Sequence, residues 1–290
     1  MVKVREAHSK FVDHLKSQGR SSATVLAYGK DIEQLADFLE NLKKHQVHEI
    51  ATADLEAFMA KLVKEGYTPK SISRKTNSTK TFFRFLKINE YVADDPAALL
   101  EHPKFDMKPP RILSKMEYRA LRDAARDDVR ISAIIELLLQ TGIRIGELAK
   151  LKLSDVKFGE NGKSGDLHVP AGESYPERNV PLNKASEAAL KKYLDIRPNA
   201  KEDTLFITKT GRPLLVRNIR TAIDRYFRLA GIKDAKVNDL RHTFVAHHLM
   251  SGTSLVLVSK LAGHKRLATT EKYLNLIQSS LDEPVKLEEL

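Results

Sequence analysis

Apolar side chains recur at helical spacing through the first hundred residues. Phe11 and Leu15 mark a first helix. Ser21 and Ser22 can cap a second, whose inner face is Tyr28, Ile32, Leu35, Phe38 and Leu39. Thr52 caps a third, running through Leu55, Phe58, Met59 and Leu62. Thr68-Pro69 opens a fourth, with a capping hydroxyl followed by proline at the first helical position. The inner stripe of that fourth helix is Ile72, Thr76, Thr79, Phe83 and Leu86. Its opposite side carries Lys70, Arg74, Lys75, Lys80, Arg84 and Lys87. Residues 102–110, HPKFDMKPP, hold three prolines and no amphipathic period, so helix cannot continue there.

Beyond this break the pattern is mixed. Residues 131–140 read as a buried helix ended by Thr141-Gly142, and 145–151 as a second helix. Residues 166–170 and 178–182 are short β-prone runs around Gly, Ser, Tyr and Pro, which predicts a hairpin. Residues 204–208 and the following Lys209-Thr210-Gly211-Arg212-Pro213 predict a strand and turn. Helices are predicted at 185–194, 216–229, 240–250, 255–261 and 269–277. The segment 281–290 has four acids and one lysine, and either docks through Val285, Leu287 and Leu290 or frays. The expected fold is mainly α with a small antiparallel β component. It has a helical domain over 1–102, a linker over 103–111 and a mixed domain over 112–290, with a tail from about 279.

Composition narrows the function. The 290 residues carry 49 Lys and Arg against 38 Asp and Glu, a net charge of +11, which favours an anionic partner such as nucleic acid. Residues 1–110 hold 18 basic and 15 acidic side chains (net +3), and 111–290 hold 31 and 23 (net +8). Eight bases and one acid, Glu65, fall between Lys61 and Lys87. Ser71, Asn77 and Ser78 lie among them, short polar groups suited to phosphates and base edges, while a plain solvated face is the alternative. With no cysteine, disulfides, thiol nucleophiles and Cys-ligated metals are excluded. No signal-peptide core opens the chain and no apolar run reaches membrane-span length, so a cytoplasmic protein is expected.

There is no P-loop, no HExxH and no GxSxG. His242, His247 and His248 share a predicted helix at offsets that do not pair them for a metal, so none is expected. Four segments stand out. Thr141-Gly142-Ile143-Arg144-Ile145-Gly146-Glu147 places an arginine among apolar residues, with a carboxylate three residues on to pair it. Asn238-Asp239-Leu240-Arg241-His242 sets a second arginine at a helix start. Leu261-Ala262-Gly263-His264 ends a helix in a glycine-histidine turn, and Thr270-Glu271-Lys272-Tyr273 supplies a tyrosine nine residues later. Each segment alone has a structural reading. Together, two guanidinium forks can hold one phosphate, a phenol can attack it, and a histidine can hydrogen-bond it and manage the phenolic proton.

TGIRIGEL, NDLRHTFVAHHLMSG, LAGHKRLATTEKYL and the His264–Tyr273 spacing resemble the tyrosine site-specific recombinases, the Xer group in particular and its archaeal XerA-like members. The likeness covers nearly the whole chain. It implies a helical SAM-like core-binding domain and a catalytic domain. Arg144 and Arg241 would then clamp the phosphate, with Glu147 supporting the first arginine and His264 as the Gly-His box histidine. Tyr273 would be the nucleophile of a 3′-phosphotyrosine intermediate. It also implies double-stranded DNA as partner, tetramers on two DNA sites, tail docking between subunits, and no cofactor, metal or ATP. The basic-helix residues Lys70, Arg74, Lys75, Asn77, Lys80 and Arg84 are the expected DNA contacts.

Two positions depart from the family pattern. Asn238 stands where a histidine is usual, and can hydrogen-bond a phosphate but cannot titrate. Glu173 stands in Gly172-Glu173-Ser174-Tyr175-Pro176-Glu177-Arg178, where a general-acid lysine is usual. Lys163 is the first candidate substitute and Lys209 the second. Chromosome-dimer resolution at a dif-like site is the expected role. A mobile-element integrase, a DNA-binding protein with a decayed site and a relaxing type IB topoisomerase remain open beside it.

Overall fold

The computed structural model describes residues 2–104, 109–160, 162–173 and 175–278. The acidic tail 281–290 and its predicted docking role lie outside these residues. The chain divides into two compact units, 1–108 and 109–290.

The first unit consists of α1 (Val4–Ser17), α2 (Ser22–Asn41), α3 (Thr52–Lys64) and α4 (Pro69–Ile88). Its core is aromatic and aliphatic: Phe11, Leu35, Leu39, Phe58, Phe82, Phe83 and Leu86 are all buried. Phe11 meets Phe82 edge-on at 5.3 Å. Ser21 caps α2 by accepting from the Thr24 amide, and Thr68 caps α4 by accepting from that of Ser71. The cap of α3 differs from expectation. Ala51 is the N-cap, the Asp54 carboxylate accepts the Ala51 N–H at 2.8 Å, and Thr52 turns its hydroxyl to the Pro96 carbonyl at 2.9 Å.

α4 corrects a second expectation. Lys75 and Ser78 are buried and do not lie on the solvent face. Lys75 Nζ donates to Asp31 Oδ1 at 2.9 Å, Ser78 Oγ donates to Asp31 Oδ2 at 3.1 Å, and Arg74 also pairs with Asp31. One buried carboxylate on α2 therefore draws part of the basic helix inward, because a buried charge must be paired. Lys70, Asn77 and Arg84 stay exposed, and half-buried Lys80 donates to the Ala98 carbonyl.

The second unit consists of α5 (Lys115–Ala124), α6 (Val129–Thr141), α7 (Ile145–Leu148), β1 (Val156–Lys157), β2 (Gly165–Val169), β3 (Arg178–Leu182), α8 (Lys184–Ile196), α9 (Val216–Leu229), α10 (Val237–Met250), α11 (Leu255–Ala262) and α12 (Ala268–Gln278). The strands form an antiparallel sheet in the order β1-β2-β3, with Leu167 opposite both Val156 and Val180. Leu167, Val169, Val180 and Leu182 alternate inward and join the core around α6, which packs on α8 and α10. The run 204–208 is no strand. It makes single bridges at Lys152–Thr204 and Ile207–Pro213, and the Tyr193 hydroxyl accepts the Ile207 N–H. A separate buried cluster, Phe244, Val245, Ala246, Val258, Ala262 and Tyr273, ties α10, α11 and α12 together. No helix among the described residues is long and apolar enough to cross a membrane.

Candidate active site

The site begins where α6 stops. Gly142 ends that helix at φ 62°, and a Cβ there would lie 2.2 Å from the Phe244 ring, so only glycine fits. The freed Gly142 carbonyl accepts Arg241 Nη1 at 2.5 Å. Arg144 then caps α7, and the Glu147 carboxylate receives both the Arg144 backbone N–H, at 2.7 Å, and its Nη1, at 2.9 Å. Spacing alone anticipates this Arg144–Glu147 pair.

A third arginine completes the arrangement. Arg178 on β3 makes a two-pronged contact with Glu147, 3.0 Å from Nη1 and 2.7 Å from Nη2, and its Nε donates to the Leu261 carbonyl at 2.7 Å. Arg144 Nη2 donates to the Gly263 carbonyl at 2.9 Å. The C-terminal carbonyls of α11 thus face two guanidinium groups, the favourable sign at a helix C-terminus. Gly263 is at φ 65°, and a Cβ would come within 2.8 Å of the Arg178 guanidinium. Burial opposes ionisation of Glu147, but the Arg178 fork, the Arg144 N–H and both positive charges outweigh it and hold its pKa below the usual 4.5.

Arg241, on α10, is only 7% exposed. Its Nη2 is buried and has no hydrogen-bond partner among the described residues. Burial, then the nearby Arg144, lowers its pKa to about 10, with Glu147 acting in the opposite direction. Three guanidinium groups around one carboxylate leave net positive charge and a free donor, which suits a phosphate.

Tyr273 projects from α12 and is 4% exposed. Its hydroxyl lies 2.5 Å from His242 Nδ1 on α10. The imidazole of His264 is near-parallel to its ring, 6.4 Å between centroids, and His264 Nδ1 lies 2.8 Å from the Thr270 hydroxyl. Burial and then the charges of Arg241 and Arg144 lower the pKa of His264 to about 4, so it is neutral at pH 7. Burial pushes the Tyr273 phenol up, opposed by Arg241.

The fold therefore brings Arg144, Glu147, Arg241, His264 and Tyr273 together. Asn238 is exposed in the first turn of α10, one turn before Arg241. Glu173 is exposed in the β2–β3 hairpin, and it is Tyr175 whose ring covers Arg144, 5.5 Å from Cζ. Lys163 is exposed in the β1–β2 turn, and Lys209 lines a different cavity with Arg130 and Tyr193. Among the described residues no hydrogen bond or ion pair joins either lysine to the cluster. His247 and His248 line a cleft with Tyr118, Arg122 and Phe244, apart from His242.

Sequence reasoning missed Arg178 and His242. Arg178 carried a signal: it shares the strand phase of inward Val180 and Leu182, so it points inward and needs a carboxylate. Nothing local marks which histidine meets a tyrosine 31 residues away.

Residues 111–279 match the Phage integrase family, and residues 9–90 match the Phage integrase, N-terminal SAM-like domain. The chain belongs to this family and is a tyrosine recombinase, an enzyme that breaks and rejoins DNA. Its likeness within the family is to the Xer recombinases. It is 33% identical to tyrosine recombinase XerC of Corynebacterium efficiens, over 95% of this chain and 88% of that protein. It is likewise 33% identical to tyrosine recombinase XerD of Proteus mirabilis, over 91% and 86%. A crystal structure of XerA recombinase is similar at 28% identity and TM-score 0.55, covering 97% of this chain and all of that one. A lambda integrase dimer bound to a COC' core site shares the fold, with TM-score 0.77 at 19% identity, over 99% of this chain and 80% of that one.

Proposed function

We propose that this chain is a site-specific recombinase of the Xer type that cuts and rejoins duplex DNA through a 3′-phosphotyrosine on Tyr273. Arg144 and Arg241 hold the non-bridging oxygens of the scissile phosphate, and Glu147 and Arg178 fix the direction of Arg144. What supports this reading above all is Arg241, which is buried, charged at pH 7 and left, among the described residues, with one guanidinium nitrogen unpartnered beside Arg144. Such a group is costly unless an anion completes it, and it neutralises charge that develops at phosphorus. Neutral His264, with Nδ1 against Thr270, directs its other nitrogen outward as a donor to the phosphate. Attack by the Tyr273 oxygen releases a free 5′-hydroxyl. The bond energy stays in the covalent intermediate, so rejoining needs no ATP.

The likeness to XerC and XerD proteins supports chromosome-dimer resolution at a dif-like site as the role. Structural neighbours include a lambda integrase tetramer bound to a Holliday junction, which supports a homo-tetramer acting on two duplexes. Lys70, Arg74, Asn77, Lys80 and Arg84 face the DNA from α4. Lys163, in its exposed turn, is the proposed donor to the 5′-oxygen once DNA is bound.

Nicked suicide duplexes, drawn from a library with randomised core sequence and incubated with EDTA, test the nucleophile. The wild-type chain should accumulate covalent protein–DNA adduct, and Tyr273→Phe should form none. Adduct of undiminished yield from the Phe variant would assign the attack to another residue.

A further inference from the structure

We propose that His242 is the base that takes the phenolic proton of Tyr273 during strand cleavage and returns it on rejoining. This rests on the reading of Tyr273 as nucleophile, and concerns a step that reading leaves open. A phenol attacks phosphorus poorly while protonated, because its ordinary pKa lies near 10. Burial pushes this one higher still, so something must accept the proton as the bond forms.

Only one titratable side chain among the described residues hydrogen-bonds the Tyr273 hydroxyl, and it is His242, with Nδ1 at 2.5 Å. The other candidates are engaged elsewhere. His264 stacks beside the ring and turns Nδ1 to Thr270. The Asp239 carboxylate accepts the Lys236 N–H in the cap of α10. Arg241 is a guanidinium and accepts nothing. Asn238, one turn before His242 on the same helix, has no proton to exchange. Tyr273 and His242 are held by packed elements: α10 and α12 share a buried cluster, and the ring of Tyr273 is part of it. The contact therefore does not depend on a loop.

The histidine is also in the protonation state a base requires. Burial lowers its pKa and outweighs the upward pull of Asp239, with a smaller downward push from Arg241, so the ring is neutral at pH 7. With its proton on Nε2, Nδ1 presents a lone pair to the phenol. The Tyr273 O–H proton passes to Nδ1, the phenolic oxygen bonds to phosphorus, and the bond from phosphorus to the 5′-oxygen breaks. The departing 5′-oxygen takes a proton from the Lys163 ammonium, the donor proposed above. Rejoining reverses each transfer, and the imidazolium reprotonates the leaving phenolate. In the ground state the proton favours the phenol, so transfer accompanies attack, at the stage when Arg144 and Arg241 stabilise the new charge.

Single-turnover cleavage by the full chain and by His242→Asn tests this on two suicide duplexes. One has an ordinary scissile phosphodiester and the other a bridging sulfur in place of the 5′-oxygen, whose thiolate leaves without a proton. His242→Asn should cleave about 10²- to 10³-fold more slowly on both substrates. Rates within about threefold of wild type, or recovery on the sulfur substrate alone, would overturn the proposal. A second measurement guards against simple damage. In a Tyr273→Phe background, DNA carrying a 3′-p-nitrophenyl phosphate can be rejoined with a leaving group that needs no proton. Adding His242→Asn should leave this rejoining rate unchanged, and an equal loss here would make His242 a packing residue. Absence of wild-type adduct on both duplexes would instead count against Tyr273 as nucleophile.

Discussion

Glu147 is the residue on which the cluster turns. Its carboxylate is buried, and it takes four hydrogen bonds, two from Arg178 and two from Arg144. Glu147→Gln keeps the shape but leaves three guanidinium groups around a neutral amide, which should cost about 3 kcal/mol, as removal of one partner from a buried ion pair does. The sign of the pH effect follows from its depressed pKa. The stability Glu147 contributes is fully present above its unfolded value of 4.5 and is lost as pH falls through the lower folded value. Thermal melts of the wild type and the Gln variant should therefore differ most near neutral pH and converge below 4.5; a gap independent of pH would show that the charge is not what stabilises. Half of this network is legible in the sequence, because Arg144 and Glu147 are three residues apart on one short helix. The other half is not, since Arg178 and His242 reach their partners across 31 residues and only the folded sheet and helices bring them together.

Helices with a strong apolar stripe and a recognisable cap were legible in the sequence: α4 begins at Pro69 and α9 spans Val216–Leu229, as their patterns predict. α5 carries no such stripe, because only Leu121 is buried along it, and its one sequence signal is the Ser114/Glu117 capping box. β1 is too short to carry a period, and the apolar run 204–208 is stitched between loops and not into a sheet. On α4 the periodicity gave the correct inner stripe, yet it placed Lys75 outside, because a lysine inside is explained only by Asp31 on another helix. The two kinds of basic residue on this helix should behave differently. Lys70→Ala and Arg84→Ala should each weaken DNA binding and reduce the slope of log affinity against log salt by about 0.9, one phosphate contact each. Lys75→Ala should leave that slope unchanged and lower the melting temperature, since it strips a partner from buried Asp31. Salt titrations of the three variants separate these outcomes, and a reduced slope for Lys75→Ala would place its ammonium on DNA.

The molecule divides its work between two units that each have a core of their own, one built on Phe11, Phe58 and Phe83 and the other around α6. Every residue of the chemical cluster, from Arg144 to Tyr273, belongs to the second unit. So does most of the charge, with 31 basic and 23 acidic residues after position 110 against 18 and 15 before it. A domain with its own core folds independently, and a net +8 suffices to attract a duplex without help. The fragments 1–104 and 109–290 should therefore each show a cooperative melt when made separately. The 109–290 fragment should bind DNA more weakly and with a shallower salt dependence than the whole chain, because the contacts proposed for α4 are gone. Once saturated with a suicide duplex, it should still form the Tyr273 adduct at a rate within about tenfold of the whole chain, since the groups proposed to orient, clamp and deprotonate all lie in this unit. A folded, saturated fragment that forms no adduct, beside a whole chain that does, would mean that the first unit supplies a group to the reaction. The site would then have to be redrawn to include residues of α1–α4.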